Sequence, residues 1–126
     1  MRRLAATIAV LSFLALAGGA AITAARGGPP GFPQIPGNWA HAEINVRIGK
    51  KPHTLILDRG RIMQVSPTQI TLRELGTPTP VPLDASTVIM FRARQITAAQ
   101  LRRGLYAETM IIDGGAAVRV RETLAP

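Results

Sequence analysis

Beyond residue 37 no long stretch carries the apolar spacing of a helix, whereas Gly, Pro and Asp-Gly clusters interrupt the chain every several residues. That punctuation restricts the region to short strands and turns. The clearest strand is residues 69–74, QITLRE, where Ile70 and Leu72 alternate with Thr71 and Arg73 as one buried and one wet face require. An extended run opens at Thr54 and continues through Ile62 to Val65, with Asp58-Arg59-Gly60 in its middle expected as a bulge or bend. Ser66-Pro67 marks a turn, and residues 76–80, GTPTP, mark the next. Pro80 and Pro82 then confine the returning strand, which holds Val81 and Leu83, to an edge. Residues 87–92, TVIMFR, read as a central strand buried on both sides.

Residues 96–103 are the one helical candidate, with Thr97 as cap, Ala98, Ala99 and Gln100 as formers and Gly104 as stop. Residues 105–112 and 116–121 form a hairpin about Asp113-Gly114-Gly115, with Val118 and Val120 toward the core and Arg119 and Arg121 toward water. Five or six strands and one short helix within the 89 residues of 38–126 predict an all-β domain. The expected form is a small, partly closed barrel of the OB or SH3-like kind, because closure removes exposed edges; a two-sheet sandwich is the alternative.

The N-terminus has a different texture. Arg2 and Arg3 precede an apolar run, residues 4–16, broken only by Thr7 and Ser12, which suits the hydrophobic helix of an export signal. Ala15-Leu16-Ala17, Gly18-Gly19-Ala20 and Thr23-Ala24-Ala25 each offer the small residues of a cleavage site. The uncharged stretch extends over residues 4–25, and about 20 residues suffice to cross a bilayer, so an uncleaved membrane anchor is the alternative to a cleaved signal peptide over residues 1–25. Both readings place the remainder outside the cytoplasm, secreted or anchored, since the arginine pair stays inside. With no cysteine, lipid attachment at that residue and disulfides are both excluded. Residues 26–37, RGGPPGFPQIPG, are two-thirds Gly and Pro and read as a linker between this segment and the domain at 38–126.

Charge narrows the partners. The chain carries 15 Lys and Arg against 7 Asp and Glu, a net +8, and from Arg26 onward the excess is still +6. Such a balance favours polyanions: lipid headgroups, envelope polymers or nucleic acid. Strand alternation sets Arg59 with Arg61, Arg92 with Arg94, and Arg119 with Arg121 on common sides. These six are the candidate residues for contact with an anionic envelope polymer or protein partner.

One order of residues carries a resemblance: Gly60, Val65, Ile70-Thr71-Leu72, Val81, Thr87, Leu101-x-x-Gly104, a strand over 107–111, Asp113-Gly114, then Ala117-Val118-x-Val120. It resembles a bacterial family of small exported β-barrels of unknown function, written G-x-V…I-T-L…T-x-I…L-x-x-G…G-x-A-x-x-V. The resemblance implies an extracytoplasmic barrel without established chemistry.

The residue types argue little catalysis. A serine triad would need Ser66 or Ser86 with His41 or His53, and neither serine stands in a nucleophile-elbow context. His41-x-Glu43 with His53 and Asp58 contains metal-ligand types, but H-x-E alone has no marked metal spacing, so no metal or cofactor is expected. Base stacking on nucleic acid would have to use Phe91 and Tyr106, both inside apolar strands, or Trp39 after the linker. The reading is therefore a non-enzymatic extracytoplasmic β module that contacts another envelope component. A binder of an anionic ligand or oligonucleotide through a basic barrel face is the alternative.

Overall fold

A computed structural model describes residues 9–12 and 30–125. Within them the chain forms β1 (Ala9–Ser12), β2 (His41–Ile48), β3 (Lys51–Ser66), β4 (Gln69–Glu74), β5 (Thr77–Pro82), β6 (Val88–Phe91), β7 (Arg94–Ile96), β8 (Tyr106–Ile112) and β9 (Arg119–Glu122). The all-β class holds, with more strands than five or six. The expected N-terminal hydrophobic helix and its cleavage sites lie outside the described residues, apart from Ala9–Ser12, which runs parallel to β2. Among the described residues no helix is long and apolar enough to cross a membrane.

The helical candidate at 96–103 is a single 3-10 turn, Ala98–Gln100. The Gln100 side chain accepts a hydrogen bond from the Thr97 N–H at 2.9 Å, but Leu101 is already extended and buried, so the chain leaves the turn to plant that side chain in the core.

The strands form one sheet in the order β1-β2-β3-β8-β9-β6-β7, with β4 on β3 and β5 on β4. β3 is the organising element. Along one edge it pairs first with β2 (Ile48 opposite Lys51 to His41 opposite Asp58) and then with β4 (Arg61 opposite Arg73 to Ser66 opposite Gln69); along the other it pairs with β8. No bulge falls at residues 58–60, where β3 is continuous and stays in register with β8. The irregularity falls later, between Ile62 and Gln64, where the β4 register shifts. The bulge reverses the alternation, so Ile62 and Val65 both reach the same core.

The sheet is not closed: among the described residues β1, β5 and β7 each lie at an end of it, and β5 and β7 do not pair with each other. Proline explains the free edge of β5. Pro78, Pro80 and Pro82 recur at every second position of β5, opposite Arg73, Thr71 and Gln69, where the missing N–H groups would otherwise point to a further strand. The expected turn over 76–80 is thus mostly strand, and the reversal is made by Leu75 and Gly76, with φ of 50° and 83°. A backbone bond from Ala117 N–H to the Pro82 carbonyl, 2.8 Å, bridges the end of β5 to the chain before β9.

Two cores lie on the two faces. One gathers Ile62, Ile70, Leu72, Val81, Ile89, Phe91 and Val120; the other gathers Trp39, Ala42, Ile44, Leu55, Leu57 and Met110. The strand at 88–91 buries one face only: Ile89 and Phe91 are inside while Val88 and Met90 are half-buried. Val120 enters the first core, but Val118, just before β9, packs on the second. The segment read as a linker also has a place. Phe32 and Ile35 pack on the second core and Pro30 is buried, so part of residues 30–39 lies over the sheet rather than away from it.

Candidate functional site: a seam of buried acids and an arginine face

Where β3 exchanges β2 for β4 as its edge partner, the two strand ends leave a seam, and Asp58 and Gly60 sit on it. A Cβ at Gly60 would stand 2.5 Å from the Arg73 carbonyl oxygen, so only glycine permits the approach of β4. That approach places Glu74, the last residue of β4, against Asp58. His41, the first residue of β2, is the register partner of Asp58, fixed by the tight Gly49-Lys50 turn.

The three side chains converge. One ligand-type atom from each of His41, Asp58 and Glu74 lies within 4.8 Å of the others. His41 Nδ1 is 2.6 Å from Asp58 Oδ1, and its other ring nitrogen, Nε2, is 3.5 Å from Glu43 Oε1. Asp58 and Glu74 are buried, His41 is half-buried and Glu43 is exposed. Glu74 Oε1 is buried without any hydrogen-bond partner. Burial, then the charge of Asp58 and a hydrogen bond with it, push the Glu74 carboxyl up to about 9, against the lesser help of Thr79 and the Arg59 backbone. Burial works to lower the His41 pKa, yet the hydrogen bond and charge of Asp58, followed by those of Glu43, more than offset it and leave it raised.

Of the metal-ligand types noted in the sequence, the fold therefore joins His41, Glu43 and Asp58 but separates His53, whose Nδ1 is 2.5 Å from Asp113 Oδ2. Asp113 also accepts from the Thr54 N–H, and these bonds, the backbone one first, hold its carboxyl below the usual range. Glu74 was not singled out by sequence reasoning, although it continues the buried Ile70, Leu72 face of β4. A carboxylate at a core position of an alternating strand is the signal that would have found it.

The opposite face of β3 holds the arginines. Arg59 and Arg61 do share a side, and register with β8 and β9 sets Arg119 and Arg121 on the same side. Their expected exposure holds only in part. Glu108, fully buried on β8, accepts from Arg121 Nη2 at 3.0 Å and from Arg59 Nη2 at 3.5 Å. The Trp39 ring covers the Arg59 guanidinium at 4.2 Å and the Phe32 ring covers that of Arg121 at 4.3 Å. Arg119 Nε donates to the Pro30 carbonyl at 2.8 Å. Three of the six candidates are thus occupied inside the protein, while Arg61 stays exposed beside Tyr106, 5.7 Å from its ring.

Arg92 and Arg94 do not share a strand side. Arg92 and Ala93, with φ of 50° and 60°, form the two-residue turn between β6 and β7, and Arg94 opens β7. No Gly or Asn announces this turn, so alternation was carried through it. Both arginines are exposed, and Arg92 joins Arg121, Met90 and Leu124 around an open groove of about 460 Å³ that Glu122 also lines.

The serines serve turns. Ser66 Oγ donates to the Gln69 carbonyl at 3.2 Å, and the Ser86 N–H donates to Asp84 Oδ1 at 2.8 Å. Compared with family models, curated proteins and solved structures, the chain matches none.

Proposed function

We propose that this protein is a non-enzymatic extracytoplasmic β module that binds an anionic component of the cell envelope through its exposed arginines. The observation that supports this reading is an imbalance of burial. Asp58, Glu74 and Glu108 are buried, which leaves Glu43, Asp84, Asp113 and Glu122 as exposed acids, whereas Arg47, Lys50, Lys51, Arg61, Arg73, Arg92, Arg94, Arg102 and Arg103 are all exposed. Arg59, Arg119 and Arg121 are half-buried, so among the described residues the fold keeps the net excess of cations at the surface and raises their ratio to acids. The groove beside Arg92 is one concave part of that surface, and the apolar run at residues 4–16 supports export.

The oligonucleotide reading is weaker. Phe91 and Trp39 are buried at 8% and 7% exposure, which removes two of the rings that base stacking would use.

The test is retention of the full-length protein on immobilised polyphosphate, which is independent of any membrane affinity of the N-terminal segment. Retention that falls steeply with salt and weakens in Arg92→Glu/Arg94→Glu supports the proposal. Retention equal to that on an uncharged matrix would overturn it.

A further inference from the structure

We propose that His41, Asp58 and Glu74 form a binding site for a divalent transition-metal ion of the zinc class, with Glu43 orienting the histidine from outside. This site lies on the seam and does not depend on the anion-binding surface.

The donor set comes from three strands whose pairing fixes the backbone positions: the start of β2, the middle of β3 and the end of β4. Donor atoms around one tetrahedral zinc lie roughly 3–3.5 Å apart, so from a spread within 4.8 Å the side chains close on an ion by shifts of about 1 Å. An imidazole with two carboxylates selects zinc-like ions. Calcium would require six to eight oxygens and magnesium keeps to oxygen ligands.

Glu74 Oε1 provides the independent sign of a missing partner. It is buried and without a hydrogen-bond partner, on a residue only 9% exposed whose carboxylate belongs to the converging group. Water is not the only species that could satisfy it, because two adjacent buried carboxyls also call for positive charge. A divalent ion supplies that charge and binds both carboxylates.

The histidine geometry fits as well. Nδ1 faces Asp58 while Nε2 faces Glu43, so the ring can offer Nδ1 to the ion with its remaining N–H directed at a carboxylate. Entry is open on this side, since the His41 and Glu43 side chains are 34% and 53% exposed. Glu43 is thus a positioning residue.

The experiment uses full-length protein stripped by chelator and titrated calorimetrically with ZnCl2, with Co2+ absorption as a second readout. The expected result is one ion per chain and visible Co2+ bands of a low-coordinate nitrogen–oxygen site. His41→Ala and Glu74→Gln abolish both signals. Glu43→Ala, an exposed change that leaves the fold intact, keeps the stoichiometry and weakens binding by about 10- to 100-fold. His53→Ala, at the separate Asp113 pair, changes nothing. Absence of zinc binding overturns the proposal, as does zinc binding that survives both His41→Ala and Glu74→Gln, that disappears with His53→Ala, or that ignores Glu43→Ala.

Discussion

Asp58 and Arg59 are consecutive residues of one strand, and the two faces they serve handle buried charge in opposite ways. On the Arg59 face a fully buried carboxylate, Glu108, receives two guanidiniums, each stacked under an aromatic ring of residues 30–39. On the Asp58 face two buried acids meet with a single half-buried histidine. Each face also leaves a carboxylate oxygen without a hydrogen bond, Glu108 Oε1 on one and Glu74 Oε1 on the other. The difference lies in the supply of cations. Where arginines are built in, an acid can be buried as an ion; where they are not, a proton or a metal must neutralise it. A stabilising role suits the first arrangement, and ligand binding suits the second.

The contrast can be broken most forcefully at Glu108. Glu108→Ala leaves two half-buried guanidiniums facing each other without their carboxylate, and the expected loss is about 3–5 kcal/mol in denaturant unfolding. The seam is next. Gly60→Ala forces β3 and β4 apart at the Arg73 carbonyl, for an expected loss of about 1–3 kcal/mol, and because it displaces Glu74 it also weakens zinc binding. A gain is expected at the β4–β5 turn, whose Leu75 follows Glu74 but is itself exposed. Leu75 is exposed and held at φ 50°, so Leu75→Asn should raise stability by about 1 kcal/mol. The smallest effect on folding belongs to Arg92→Glu, within about 0.5 kcal/mol, with its consequence visible in polyanion retention instead.

Much of the β texture was legible in the sequence. QITLRE alternates as read, the Asp113-Gly114-Gly115 reversal has the φ values its glycines permit, and the prolines of β5 do mark an edge. β2 was also written there, in the alternation of Ala42, Ile44 and Val46 with Glu43, Asn45 and Arg47, but no strand was assigned to it. The bulge after Ile62 and the turn at Arg92-Ala93 carry no local signature, because tertiary packing rather than turn chemistry sets them. The candidate site was half legible. Its histidine and first acid were recognised as ligand types, but their pairing depends on the β2–β3 register and Glu74 arrives only through the β3–β4 approach at Gly60. Residues 30–37 read as a linker from their prolines, while Phe32 and Ile35 supplied the apolar contacts that fasten part of them to the sheet.

The sharpest check compares unfolding free energy against pH for the chelator-treated native protein and Glu74→Gln. Glu74 is raised from 4.5 to about 9, so between those values the folded chain holds a proton that the unfolded chain has lost, and stability falls as pH rises through that window. His41, also raised, contributes stability that is full below 6.5 and is lost in the same direction. The glutamine variant should keep only the smaller histidine decline and gain on the native protein steadily toward alkaline pH. Two parallel profiles would mean that the seam carries no uncompensated acid, and the contrast between the faces of β3 would be wrong.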